Sequence, residues 1–177
     1  MFQDSIGKGG DFLRTIIVGN SGSGKSWVAV GMGNALSRAV TDLDEIHWLP
    51  GGYSSKRSRK EAIERAAKAA NSDSWIIEGV YGWLVQPLIY RATFLIWLDL
   101  PWEDCNDNLR SRYIGKTDTQ SFRDLESWAR DYWERQSSSS FAGHKSIYES
   151  FERPKRRLTK RDEVSEFVRS FEQGSSY

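Results

Sequence analysis

Short apolar runs alternate with helix-spaced patterns along the chain. Arg14 to Gly19 (RTIIVG) is rich in β-branched residues and ends in glycine, which predicts a buried strand. Ser26 to Ala39 follows at helical spacing, with Val28, Met32, Ala35 and Leu36 on one face. A short strand over Val40 to Leu43 runs into the turn-rich LPGGYSS. Lys56 to Ala70 then reads as an alanine-rich helix with a basic leading edge of Lys56, Arg57, Arg59 and Lys60. Trp75 to Glu78 predicts a third strand, stopped by Gly79, and Thr93 to Leu100 a fourth, apolar enough for a sheet centre. Pro101 opens a helix that runs to about Tyr113, proline being tolerated in a first turn. Phe122, Leu125, Trp128, Ala129 and Trp133 mark the buried stripe of another helix. A fifth strand near Arg156 to Leu158 leads into a last helix. Thr159 and Asp162 form a capping box there, ahead of Val164, Phe167, Val168 and Phe171. The low-complexity stretch Gln136 to Ser140 (QSSSS) predicts a hinge or mobile loop. Strand and helix in turn, five times, predict an α/β fold: a mostly parallel five-stranded sheet with helices on both faces.

Composition narrows the classes. A chain of 177 residues fits one domain, with residues 1–13 as an N-terminal extension. Lys plus Arg number 25 against 24 Asp plus Glu, a net charge of +1, so no global field recruits nucleic acid or anionic lipid. Lys145 to Arg161 does hold seven basic residues against two Glu, but a nucleotide site needs such charge too. The single Cys105 excludes an internal disulfide and a Cys-rich zinc site, and suits a reducing compartment; its apolar helical neighbours make it a small core residue. MFQDSIGKGGDFLR has no apolar h-region, and no apolar run approaches the roughly 18 residues of a membrane span. The expectation is a soluble cytoplasmic domain without membrane association, monomeric or homodimeric.

One motif carries the chemistry. Gly19, Asn20, Ser21, Gly22, Ser23, Gly24, Lys25 and Ser26 fit G-x-x-x-x-G-K-[ST], the phosphate-binding Walker A loop, between a predicted strand and a predicted helix. Small residues let successive backbone N–H groups turn inward around phosphate oxygens. The helix after the loop aims its positive dipole end at the same anion. Lys25 adds a full charge at the β- and γ-phosphates, and the Ser26 hydroxyl is a ligand for Mg²⁺. Trp27, next in the helix, is counted with the ATP-binding set.

Acidic residues collect at strand ends, the edge where ligands of such folds bind. Asp42 and Asp44, at i and i+2, would share one side of a strand and face the loop. One could hold Mg²⁺ through water and the other receive a proton from an acceptor hydroxyl; the competing reading is an Asp turn or N-cap pair. Glu78 suits the Walker B position, with Asp99 a rival. Arg91, Arg110, Arg112 and Arg135 lie outside the strands, where guanidinium groups could stabilise a transferring phosphoryl group or remain solvated. Trp48, Tyr53, Tyr81 and Trp83 could stack on an acceptor or serve as loop packing. His47 and His144 are possible proton carriers, although phosphoryl transfer needs positioning more than a base.

The loop together with LDEIHWLPGG, WIIEGVY, an Arg ahead of FLIWLDLP and the following Cys-to-Arg helix resembles the adenylate-kinase-related P-loop kinases. Within them it looks like the small FlaR-like or "topology modulation" proteins, over about residues 14 to 170. The resemblance implies a nucleoside-monophosphate-kinase-like fold, ATP and Mg²⁺, and a mobile lid at about 111–140. By position it puts Asp44 beside the acceptor, Arg91 on an acceptor phosphate, Arg112 and Arg135 in the lid, and the basic turn Arg157 to Arg161 near the adenine. The acceptor set is then Asp44, Trp48, Gly79, Tyr81 and Arg91; the catalytic set is Lys25, Asp44, Arg112 and Arg135; the metal set is Ser26, Asp42 and Glu78. Two features depart from adenylate kinases. Glu78-Gly79-Val80-Tyr81 stands where they have Asp-Gly-Phe-Pro-Arg, and RQSSSSFAGHKSIYESF has no counterpart.

The expected function is ATP-dependent transfer of a phosphoryl group to a small acceptor, a nucleotide or nucleoside. The alternatives are a sugar or cyclitol kinase of the shikimate and gluconate type, and a nucleotide-dependent regulatory module. Thr159-Lys160-Arg161-Asp162 superficially matches a guanine-specificity sequence and would favour the last.

Overall fold

In a computed structural model of the chain, residues 11–50, 55–115 and 119–174 are described. The first ten residues of the N-terminal extension and Tyr53 lie outside them. Five parallel strands, β1 (Arg14–Gly19), β2 (Val40–Asp42), β3 (Trp75–Gly79), β4 (Phe94–Leu98) and β5 (Lys155–Leu158), form one sheet in the order β2-β3-β1-β4-β5. Around it lie α1 (Lys25–Leu36), α2 (Leu43–His47), α3 (Arg59–Ala69), α4 (Gly82–Val85), α5 (Trp102–Arg112), α6 (Gln120–Arg130), α7 (Phe141–Ser150) and α8 (Arg161–Gly174). Single 3-10 turns cover Ile89–Arg91 and Asp131–Trp133.

Strand alternation sorts the core into two layers. Ile16, Val18, Ile77, Leu95 and Trp97 face one side, with Ala62 and Ala66 of α3, Leu84 of α4 and Ile147 of α7. Ile17, Ile76, Ile96 and Leu98 face the other, with Val28 and Met32 of α1 and Val164 and Val168 of α8. The chain therefore leaves β1 toward one face and β3 toward the other, which opens a crevice at their carboxyl ends. Among the described residues no helix is long and apolar enough to cross a membrane.

Several boundaries differ from the sequence reading, each for a local reason. The first helix ends at Leu36 rather than Ala39 because Ser37 turns left-handed (φ 53). Leu43 opens α2 instead of closing β2, because Asp42 caps that helix by accepting the Asp44 N–H at 2.7 Å. The next helix starts at Arg59, since Ser58 caps it and Lys56 bridges to Trp48. At α8 the carboxylate that reaches back to Thr159 N is Glu163 (2.7 Å), one residue beyond the expected Asp162.

The largest difference concerns QSSSS, which is a packed turn and not a hinge. Ser139 and Ser140 are buried, Ser140 caps α7, and the Ser140 hydroxyl donates to Ser137 O at 2.6 Å. α7 itself had no sequence prediction. Of the stretch expected to be a lid, α6 packs on α5 through Leu109, Phe122 and Ala129. In the expected buried stripe, Tyr132 takes the interior place assigned to Trp133.

Candidate active site

The phosphate loop joins β1 to α1 with the geometry its glycines allow. Gly22 and Gly24 have φ of 80 and 92, the left-handed region that favours glycine. A Cβ on Gly22 would collide with the Cys105 carbonyl, so the loop lies directly against α5. Asn108 of α5 donates to Gly22 O (2.8 Å), and Asn20 donates to Ala129 O (2.8 Å) at the end of α6. No side chain caps α1 and no acidic residue sits in its first turn, which leaves its positive end to an anion. The Lys25 ammonium is buried and donates to Asn20 O at 2.8 Å. The Ser23 hydroxyl is buried with no acceptor or donor among the described residues. Trp27 is half exposed on the first turn of α1.

Ser26, Glu78 and Asp42, the predicted metal set, stand close to one another at the carboxyl ends of β2 and β3. The Ser26 hydroxyl donates to Glu78 Oε1 at 2.6 Å, and β2–β3 register sets Asp42 opposite Glu78. Burial first, then the Glu78 carboxylate, pushes Asp42 up to about 7, against the opposing pull of the Asp44 N–H and Lys25. Among the described residues no three His, Cys, Asp or Glu side chains form a group that could hold a metal ion. Asp99, the rival to Glu78, is instead paired with Arg157 of β5 (Nε to Oδ2, 2.9 Å).

The predicted strand pair Asp42 and Asp44 is divided by the start of α2. Asp42 is the N-cap, and Asp44, in the first helical turn, accepts the Tyr81 hydroxyl at 2.6 Å. Tyr81 in turn accepts Trp48 Nε1 at 2.9 Å. Arg57, buried, fixes the Trp48 segment by donating to Ile46 O (3.0 Å) and Trp48 O (3.2 Å). His47 stacks on Tyr81 (4.3 Å between centroids) and edge-on to Trp48 and Trp83, and Arg59 lies 4.8 Å from the Trp83 ring. Burial, then Lys56, holds His47 below the usual histidine range. Gly79 is required by packing: a Cβ there would lie 2.6 Å from that of Leu43.

The arginines divide. Arg112 is exposed at the end of α5, one turn beyond Asn108 and so on the side that flanks the loop. Arg135 stacks on Trp128 (3.9 Å) and reaches toward Ser139 O (3.4 Å), while its buried Nε has no partner among the described residues. Arg110 pairs with Glu126. Arg91 departs from expectation. It precedes β4, and its carbonyl accepts Arg14 Nε (2.6 Å) at the start of β1, so it lies at the sheet edge opposite the phosphate loop.

The basic C-terminal stretch is largely used within the fold. Lys145 pairs with Glu149, and Arg153 donates to Tyr90 O and Ala92 O. Lys155 donates to Tyr148 O and Phe151 O, and Arg161 pairs with Asp104 and Asp107. Thr159 bonds Glu163 at the start of α8, which accounts for the guanine-like sequence as a helix cap. Cys105 is buried, its thiol pushed up to about 12 by burial. Asn108, Trp97 and Tyr132 were not singled out from the sequence, and His144, considered there as a proton carrier, is instead buried between Tyr132 and Val80 O. The signal for Asn108 was its place four residues before Arg112 in the same helix.

No protein-family model and no curated protein matches this chain. Solved structures do. A gluconokinase from Sinorhizobium meliloti has a TM-score of 0.58 at 15% identity, with 93% of each chain covered. Shikimate kinase from Acinetobacter baumannii scores 0.56 at 14%, covering 94% of this chain and 97% of that one. Shikimate kinase from Bacteroides thetaiotaomicron scores 0.58 at 12%, covering 93% and 99%. The shared feature is the fold, the three-layer α/β arrangement of small P-loop kinases.

Proposed function

We propose that this chain is an ATP-dependent phosphotransferase that moves the γ-phosphoryl group to a hydroxyl of a small acceptor. One observation carries the reading: charge is sorted along a single sheet edge. Lys25 and the open end of α1 lie on the donor side, and the Tyr81-held Asp44 lies on the acceptor side. Asp42, between them, is in electrostatic contact with Lys25, Glu78 and Asp44.

The loop amides and Lys25 bind the polyphosphate, Lys25 exchanging the Asn20 carbonyl for phosphate oxygens. Ser26, Asp42 and Glu78 would hold Mg²⁺. Two adjacent carboxylates and a hydroxyl, with Asp42 driven toward its neutral form by burial first and by Glu78 second, fit a hard divalent cation. When bound, that ion neutralises charge on the β- and γ-oxygens. Arg112 and Arg135 carry the lid role, stabilising charge on the moving phosphoryl group. Asp44 orients the acceptor hydroxyl and takes its proton as the new P–O bond forms; Tyr81 fixes one carboxylate oxygen and leaves the other for the acceptor. Trp48, Tyr81 and Trp83 flank it.

Two features support a hydroxyl over a nucleoside monophosphate. A phosphate acceptor has no hydroxyl proton for Asp44 to receive, and Arg91, the residue assigned to an acceptor phosphate, is at the opposite edge. Nucleosides, from the expected nucleotide-or-nucleoside class, and sugars or cyclitols are the acceptor classes. A coupled ADP-release screen with Mg·ATP over nucleosides, monophosphates and polyols tests the reading. Acceptor-dependent ADP formation with a hydroxyl compound is expected. Acceptor-independent hydrolysis as the sole activity would sink it.

A further inference from the structure

Outside the phosphate loop, a chain of buried polar contacts runs from β4 to the turn after β3. Trp97 Nε1 donates to the Tyr132 hydroxyl (3.2 Å), Tyr132 meets His144 Nδ1 (2.7 Å), and His144 Nε2 meets Val80 O (3.0 Å). Trp97, Tyr132 and His144 are each at most 1% exposed. Chemistry fixes the direction. A carbonyl only accepts, so Nε2 carries the histidine proton, and an indole N–H only donates, so the Tyr132 proton points to Nδ1. Every donor in the chain is matched by an acceptor only while His144 is neutral.

Val80 O also accepts Gly82 N (3.0 Å), closing a three-residue turn with Tyr81 at its centre (φ -82, ψ 82), the inverse γ conformation. The Ser138 carbonyl occupies the place a Cβ on Gly82 would need, and Gly143 packs against Ser137 O and Ser138. The Tyr81 turn is thus gripped twice from the Gln136-to-His144 segment, once by packing and once by a hydrogen bond.

We propose that this segment, from the QSSSS turn into α7, is a brace for the Tyr81 turn. In it His144 is a positioning residue that acts through Val80 and Tyr81 to hold Asp44 toward the acceptor. This rests on Asp44 being the acceptor-side carboxylate. The contact geometry is independent of that role, so the two can be tested apart.

His144→Asn keeps an acceptor for Tyr132 where Nδ1 stood but does not reach Val80 O. His144→Gln sets an N–H donor where Nε2 stood and restores that contact. In ¹⁵N-tryptophan-labelled protein without substrates, the Trp48 indole N–H (assigned with Trp48→Phe) reports on Tyr81, its acceptor. It should shift in His144→Asn and return in His144→Gln. With an accepted hydroxyl compound, kcat should fall about tenfold in His144→Asn, with the KM for ATP within about twofold, and recover in His144→Gln. Tyr132→Phe, nearly isosteric, should give an intermediate shift and serves if His144→Asn does not fold. An unmoved Trp48 resonance in the folded variants overturns the brace. A resonance that moves, in an enzyme that phosphorylates no acceptor, overturns the kinase reading and leaves the brace standing.

Discussion

Consider a drop in pH from 7 to 5 and its effect on His144. In the unfolded chain this imidazole titrates near 6.5. In the fold, burial above all holds it down to about 3, with Lys25 and Arg135 adding to the effect and the Val80 carbonyl opposing it. A base with a depressed folded value contributes stability that is full above pH 6.5 and is lost as pH falls from there toward 3. At pH 5 the unfolded state gains about 2 kcal/mol by protonating this group, and at pH 7 only about 0.2, while the folded state stays neutral at both. The His144 contribution is therefore a loss of roughly 1.8 kcal/mol between the two conditions.

Urea unfolding of the parent and of His144→Gln at both pH values isolates it. Other groups titrate in both proteins and cancel in the double difference. Asp42 is the largest of them and acts with the opposite sign. Its carboxyl, raised to about 7, favours the fold at low pH and loses that advantage as pH rises through 7. The parent should lose roughly 1.8 kcal/mol more than the variant on acidification. Equal losses in the two proteins would refute the burial of a neutral His144 between Tyr132 and Val80.

Three further outcomes are expected. Lys25→Ala should lower phosphotransfer about 10³-fold by removing transition-state charge, and calorimetry with Mg·ATP should show weakened binding in a protein that still melts cooperatively. Asp44→Asn should lower kcat about 10²-fold or more while the KM for ATP stays within about threefold; steady-state kinetics with both substrates varied separates the two. Gly22→Ala adds a Cβ against the Cys105 carbonyl at a left-handed φ of 80. It should destabilise by about 2 kcal/mol, a Tm lower by roughly 4–8 °C in a calorimetric scan.

Where the sequence alone was legible, one physical signal dominated. The β-branched runs at Arg14–Gly19 and Trp75–Gly79 are buried on both faces and emerge as parallel strands. The phosphate loop was readable because glycine spacing and a following lysine encode a backbone shape in a few adjacent residues. Signals failed where a short-range capping choice competed with periodicity. Val40 to Leu43 reads as four strand residues, but Asp42 accepting the Asp44 N–H starts a helix one residue early. The Asp42 and Asp44 side chains accordingly take different partners. QSSSS reads as flexible from composition, but serine hydroxyls that bond nearby backbone serve equally as caps, and Ser140 does so. Arg91 was misplaced because its role came from the resemblance alone; standing just before β4, it lies at the amino-terminal edge of a parallel sheet, away from the phosphate loop. His144 meets Val80, 64 residues earlier in the chain, only through the tertiary fold.

Four carboxylates stand at or near the carboxyl ends of the strands, and their partners separate their roles. Asp99 is balanced by Arg157 and has no charge to offer a ligand. Asp44 accepts the Tyr81 phenol, which fixes the orientation of its carboxylate. Asp42 and Glu78 are register partners across β2 and β3, Lys25 acts on Asp42 from nearby, and on the proposed reading Lys25 is engaged by the phosphates. Such a pair is costly as two anions and resolves in one of two ways, by protonation or by a cation. The rise of Asp42 to about 7, caused by burial first and by the Glu78 carboxylate second, is the first resolution. On the proposed reading the second becomes available when a polyphosphate arrives with a divalent ion, for which Ser26, Asp42 and Glu78 would be the ligands. The strain between the two carboxylates is thus relieved by the charge that the loop substrate brings, so that nucleotide and metal should bind together more tightly than either does alone.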